Sequence, residues 1–191
     1  MRIAGGELRG RSVSAPAAGD VRPTQDAVRE AVFSMLANIL PGSAFLDLFA
    51  GSGCVGIEAW SRGAARVLWV ERAPAVVRTL RRNVAALCGE AAGRVLQADA
   101  LAWLARPAPD GETFDIVYVD PPYDEAPEAI RLILDRLPAS GRLARRAILV
   151  AEQRADAPAP EAPGWDLVTR RRYGQTGILL FRRHEEDSNH A

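Results

Sequence analysis

The chain has 191 residues, 48% of them hydrophobic, and a formal net charge of zero at pH 7, which describes one domain with a small appendage and a single apolar core. No apolar run approaches a transmembrane span, and the start, "MRIAGGELRGR", lacks the apolar stretch of a signal peptide, so a cytoplasmic protein with no membrane segment is expected. Two cysteines, Cys54 and Cys88, lack metal-ligand spacing and fit a reduced compartment; two histidines, His184 and His190, lie in or near a polar tail and argue against a His-ligated metal and His-based nucleophilic catalysis.

Taken in chain order, "MRIAGGELRGRSVSAP" predicts a small hairpin turning at Gly5-Gly6. "RPTQDAVREAVFSMLANIL" predicts a helix with Thr24 as N-cap and Asp26 in the first turn. Val28, Ala31, Val32, Met35, Leu36 and Ile39 form its apolar stripe. Strands and helices then alternate. "AFLDLF" is a buried strand and "VGIEAWSRG" a helix ended by Gly63. "RVLWVE" is the next strand, followed by the helix "APAVVRTLRRNVAALCG" with Pro74 in its first turn and Gly89 past its end. "RVLQAD" and the short helix "ALAWLAR" lead to "FDIVYVD", the clearest buried strand in the chain. The helix "APEAIRLILDRL" and the strand "AILVAE" complete the alternation, which implies a parallel, doubly wound sheet. An Ala/Pro loop, "RADAPAPEAPG", separates this body from "WDLVTRRRY" and "GILLFRR", which predict a closing hairpin. Trp60, Trp69, Trp103 and Trp165 read as packing residues.

The stretch "DLFAGSGCVG" carries the spacing Gly51-x-Gly53-x-x-Gly56, which on its own suits a dinucleotide or a structural turn. The surrounding acids separate these possibilities. Asp47, Glu71, Asp99 and Asp120 each end a successive predicted strand, and such ends converge on one crevice in an open α/β sheet. Four carboxylates there would repel a pyrophosphate. They suit a ligand with a cationic centre and ribose hydroxyls, for which S-adenosylmethionine qualifies, with the glycines allowing close backbone approach. Glu71, 24 positions after Asp47 at the end of the second strand, lies where an acidic ribose partner belongs.

Directly after the strongest strand comes Asp120-Pro121-Pro122-Tyr123. Two prolines can neither continue a strand ladder nor begin an ordinary helical pattern, so they fix an extended turn at the crevice. An exocyclic amine on a nucleobase needs such a site, because its lone pair is delocalised into the ring. With its two N–H bonds accepted by the Asp120 carboxylate and the Pro121 carbonyl, the nitrogen can pyramidalise toward a sulfonium methyl. Tyr123 offers a flat face for stacking an extruded base, worth roughly 1–3 kcal/mol.

These residues together resemble the class I amino-methyltransferases. "MRIAGGELRGR", "VRPTQDAVREAVFSML" and "RRYGQTGILLF" are further similar to the bacterial RsmD family, and the likeness spans nearly the whole chain. The resemblance implies S-adenosyl-L-methionine as cofactor, the N2 amine of one guanine in 16S ribosomal RNA as target, and a seven-stranded Rossmann-like sheet with an N-terminal β-hairpin and helix extension. It implies that Asp47, Ala50, Gly51 and Gly53 line the methionine end, that Glu71 holds the ribose, that Asp99 and the Ala100 backbone contact the adenine, and that Asp120 to Tyr123 receive the guanine. The family motif usually ends in Phe where this chain has Tyr123; both rings can stack.

The organisation expected is an N-terminal hairpin extension over residues 1–24, a methyltransferase domain over 25–184 and a disordered tail over 185–191, acting as a monomer on 16S rRNA in the small ribosomal subunit or an assembly intermediate. The chain has no Lys, so any grip on RNA comes from Arg. Arg2, Arg9, Arg11 and Arg22, with Thr24, are the RNA-binding candidates. A solvated face remains the other reading, since Glu7, Asp20, Asp26 and Glu30 nearly cancel the local charge. The Asp-Pro-Pro-Tyr motif serves adenine N6 equally well, so a DNA adenine-N6 or other nucleic-acid amino-methyltransferase is the alternative. The small size and the extension favour RNA.

Overall fold

The structure, a computed structural model, describes residues 1–15, 24–108 and 112–184. A seven-stranded sheet forms its centre. The strands are β1 (Ala44–Leu48), β2 (Arg66–Glu71), β3 (Gly93–Gln97), β4 (Phe114–Val119), β5 (Leu143–Arg154), β6 (Trp165–Tyr173) and β7 (Thr176–Arg183). They lie in the order β3-β2-β1-β4-β5-β7-β6. The first five are parallel; β7 runs antiparallel to β5 and β6, so the expected closing hairpin forms the edge of the sheet. All seven expected strands are present. β5 begins four residues earlier than "AILVAE", at Leu143, where a register shift lets Phe114 of β4 pair with it.

Alternate residues of the strands serve opposite faces. Leu46, Leu48, Val117, Val119 and Leu149 pack with α4 (Ala100–Leu104) and α5 (Ala126–Ala139). Phe45, Trp69, Ile116, Tyr118 and Val150 pack with α1 (Thr24–Leu36), α2 (Cys54–Ser61) and α3 (Pro74–Leu87). Both faces are covered, which is why the central strands read as continuous apolar runs. Pro74 opens α3, as expected. Trp69, Trp103 and Trp165 are buried and Trp60 packs partly buried against the core.

Helix α1 ends at Leu36, short of the expected Leu40. Ile39 therefore leaves the helical phase and is 45% exposed, while Phe33, outside the expected stripe, is fully buried beside Val28, Val32 and Leu36. The helix starts at Thr24 itself; the Thr24 side chain lies outside the described residues, as do Arg22 and the tail 185–191.

The N-terminal segment forms the small hairpin expected, with a wider turn. Arg2 bridges Ser12 in antiparallel pairing, Ile3 N–H donates to Arg11 O and Val13 N–H to Met1 O, and the turn spans residues 5–10 rather than Gly5-Gly6 alone. Other backbone groups of the segment bond to α2. Ala4 N–H donates to Glu58 Oε2, Glu7 N–H to Ser61 O and Leu8 N–H to Ser61 Oγ. Glu58, fully buried on α2, also accepts from Arg29 Nε at 2.6 Å and pairs with Arg62 at 2.7 Å, and Arg29 Nη2 donates to Arg2 O. A buried carboxylate with this many donors is compensated, and removing one partner would strand a charge. The segment is thus paired within itself and also bonded to the domain.

Candidate functional site

The C-terminal ends of β1, β2, β4 and β5 and the turn between β6 and β7 surround a cavity of about 900 Å³. Glu71, Asp120, Pro121, Pro122 and Tyr123 line it, together with Val28, Phe49, Arg72, Glu152, Arg154, Gly174, Gln175 and Thr176. Its size suits a cofactor with part of a second ligand.

The loop after β1 shapes one end. Phe49 has a positive φ of 62°, a strained conformation for an aromatic residue, and Gly51 and Gly53 follow in the same region at 54° and 82°. Gly53 opens α2. The third glycine serves packing instead. A Cβ on Gly56 would lie 2.2 Å from Trp69 Nε1, so α2 could not approach the sheet.

Asp47 sits beneath this loop, 2% exposed, with Oδ2 accepting the Gly56 N–H at 2.9 Å. Burial raises its carboxyl to about 7; the Gly56 bond lowers it in part and the Glu71 charge raises it again. Glu71 holds the loop from the other side. Its Oε2 accepts the Gly51 N–H at 3.0 Å and its Oε1 the Ala73 N–H at 2.8 Å. Asn83 on α3 donates to Ser52 O in the loop and to Ser14 O in the N-terminal segment, joining the two.

The four acids do end successive strands, but they do not all face the crevice. Glu71 and Asp120 line the cavity. Asp47 is part of its foundation. Asp99 is exposed and caps α4 by accepting the Ala102 N–H at 2.9 Å, and Ala100 is buried. Ala50, Gly51, Gly53, Asp99 and Ala100 are outside the cavity lining, although Arg72 links the last pair's strand end to it, 4.0 Å from Asp99 Oδ2. The crevice is also not purely acidic, since Arg72 and Arg154 reach it. Each is engaged by carboxylates, Arg72 by Asp99 and Glu125 and Arg154 by Asp156.

The other end is built from β4, β5 and β7. Tyr123 OH lies 2.7 Å from Thr176 Oγ1, which fixes the ring against the hairpin turn. The Pro122 and Tyr123 carbonyls accept the Glu125 and Ala126 N–H groups leading into α5. Tyr118, 1% exposed on β4, donates its hydroxyl to Glu152 Oε1 on β5. Burial and the Glu152 and Asp120 charges push the Tyr118 hydroxyl well above its ordinary value, so it remains a donor.

Arg72, Glu152 and Arg154 line the cavity outside the motifs, and Phe49 of "DLFAGSGCVG" and Gln175 and Thr176 of "RRYGQTGILLF" line it without a role assigned from the sequence. For Glu152 a signal exists: "AILVAE" is a fifth apolar strand reaching an acid, as in the other four. Of the RNA-binding candidates, Arg2, Arg9 and Arg11 are exposed on the N-terminal segment, with Arg2 Nη1 bonded to Gly10 O at 3.0 Å.

A parallel sheet closed by an antiparallel β7, with an acid-glycine loop after β1 and Asp-Pro-Pro-Tyr after β4, defines a Rossmann-like class I methyltransferase. The comparisons with known proteins agree. In solved structures, the chain is similar to a putative methyltransferase, yhhF, from Escherichia coli, with a TM-score of 0.84 and 34% identity over 96% of this chain and 98% of that one. Residues 1–182 match the family described as Conserved hypothetical protein 95. Ribosomal RNA small subunit methyltransferase D of E. coli K12 is 36% identical over 195 residues, covering 100% of this chain and 94% of its own. The putative rRNA methyltransferase YlbH of Bacillus subtilis is 34% identical over 184 residues, covering 96% and 99%. The chain belongs to this family, the RsmD methyltransferases.

Proposed function

We propose that this protein transfers a methyl group from S-adenosylmethionine to the exocyclic N2 amine of one guanine in the 16S ribosomal RNA of the small subunit. The observation that carries the reading is that Asp120-Pro121-Pro122-Tyr123 and Glu71 line one cavity from opposite strands.

The residues present fit the cofactor. Glu71 presents a carboxylate already oriented by two backbone N–H groups, suited to ribose hydroxyls, and Phe49, at the start of the glycine loop, lines the same cavity. Asp47, Ala50, Gly51 and Gly53 serve the methionine end, Asp47 by holding the first turn of α2 that follows the loop. Asp99 and the Ala100 backbone serve the adenine. When bound, S-adenosylmethionine supplies an electrophilic methyl on a cationic sulfur. The chain supplies position and charge. The Asp120 carboxylate and the Pro121 carbonyl accept the two amine protons, which localises the nitrogen lone pair; Tyr123 stacks on the base, with its hydroxyl anchored on Thr176. The amine proton leaves to Asp120 or to solvent.

Arg2, Arg9 and Arg11 of the N-terminal extension, with Arg22 and Thr24, contact the RNA backbone, and α1, which follows that extension, contributes Val28 to the cavity wall. The protein works as a monomer in the cytoplasm, on the subunit or on an assembly intermediate. Among the described residues no helix is long and apolar enough to cross a membrane.

The test is methyl transfer from labelled S-adenosylmethionine to small subunits from a strain lacking this gene, beside free ribosomal RNA, duplex DNA and protein, with the product base identified. N2-methylguanine at one RNA position is the expected result. Label in adenine or in protein would overturn the substrate assignment.

A further inference from the structure

We infer that Glu152 selects guanine over other amine-bearing bases by accepting the N1–H of the target. The inference rests on the guanine reading above and deepens it, because Asp-Pro-Pro-Tyr by itself serves guanine N2 and adenine N6 alike.

Glu152 and Asp120 belong to neighbouring strands. β4 and β5 are parallel with Val119 opposite Ala151, so the next positions along each are Asp120 and Glu152. Both line the cavity that Tyr123 bounds. Two carboxylates are thus presented side by side at the acceptor end. The guanine edge carries adjacent donors, the N2 amine and N1–H, which two carboxylates match. Adenine carries an amine beside an unprotonated ring nitrogen, an acceptor, and a carboxylate facing that nitrogen is repelled. Asp120 engages the amine common to both bases; Glu152 reads the atom that differs.

The position of Glu152 is fixed from behind. Tyr118 is buried on the α1–α3 face of the sheet and donates its hydroxyl to Glu152 Oε1. A carboxylate accepts several hydrogen bonds at once, so this bond orients the group without exhausting its capacity. Tyr118 is a positioning residue, and Glu152 is the specificity-determining one.

The experiment compares two forms of the same ribosomal RNA, in whichever state supports methylation by the wild-type protein. One carries guanine at the target and the other 2-aminopurine, which keeps the N2 amine but lacks the N1 proton. Wild type is expected to prefer guanine by about 10- to 100-fold in kcat/KM. In Glu152→Ala the ratio should fall toward one. Glu152→Gln should gain on 2-aminopurine, since its amide can donate to the bare ring nitrogen, and Tyr118→Phe should lower the ratio by a smaller factor. Unchanged binding of S-adenosylmethionine by calorimetry certifies that each variant is folded. N2-methylguanine formed with an unchanged ratio in both Glu152 variants would overturn the inference alone. Failure of the wild-type protein to form N2-methylguanine would overturn the guanine reading and the inference with it.

Discussion

The two ends of the cavity are assembled in different ways. The cofactor end is made mostly of backbone and short-range geometry: a strained loop from Phe49 to Gly53, a glycine that lets α2 sit on Trp69, and two carboxylates, Glu71 holding that loop by the Gly51 N–H and Asp47 holding the first turn of α2 by the Gly56 N–H. The acceptor end is made of side chains that meet from far apart in the chain. Tyr123 meets Thr176 across 53 residues and Tyr118 meets Glu152 across 34. The first arrangement suits a ligand shared by a whole enzyme class. The second leaves room to set the identity of the base by side-chain choice at β5 and β7, with the cofactor loop untouched.

Substitutions that act at one end and spare the other test that division. The largest effect is expected for Asp120→Ala, which should lower kcat by about 100-fold or more by removing the acceptor for the reacting amine, with cofactor affinity unchanged in calorimetry. Wild-type turnover in that variant would remove Asp120 from the acceptor role. Glu71→Ala is the mirror image. It should weaken cofactor binding by roughly 1–3 kcal/mol, the range for a hydrogen bond to a charged group, and titration that matches wild type would place the ribose elsewhere.

Asp47 gives a pH-dependent test confined to the cofactor end. Its carboxyl, raised to about 7 in the folded protein from an ordinary value near 4, holds a proton that the unfolded chain releases between those pH values. Its contribution to stability is therefore complete below about pH 4 and is lost as pH rises through about 7. Asp47→Asn keeps an acceptor for Gly56 but cannot ionise. The melting temperature of the wild type should fall relative to this variant between about pH 4 and 7, and a constant difference over that window would show that the carboxyl is not held protonated. The smallest effect is expected for Tyr123→Phe, which loses the Thr176 bond at a cost of about 1 kcal/mol in thermal stability but keeps the stacking face. It should remain active; an inactive variant would assign the hydroxyl a part in the reaction.

The places of the two motifs in the fold are legible in the sequence because their signals are local. Strand, acid, glycine loop and helix follow one another within a short stretch, and Asp-Pro-Pro-Tyr follows its strand directly. An acid at a strand end, however, need not line the cavity. Asp47 turns inward because the Gly56 N–H at the start of α2 needs an acceptor, and Asp99 turns to cap α4. The N-terminal hairpin is legible for the same reason, since its cross-strand bonds, Ile3 N–H to Arg11 O and Val13 N–H to Met1 O, are local, whereas its attachment to Glu58 and Ser61 on α2 is not.

The sequence by itself determined the alternating elements, the doubly wound sheet with its closing hairpin, and the strand ends at which the two motifs fall, because periodicity, helix-ending glycines and proline geometry act over a few residues. Only the tertiary structure decided which carboxylates share the cavity and which serve the fold, and it alone brought Glu152, Gln175 and Thr176 to Asp120 and Tyr123. Strand order and register fix those meetings, and both are settled by how the two helical layers bury the faces of the sheet, a property of the whole chain rather than of any stretch of it.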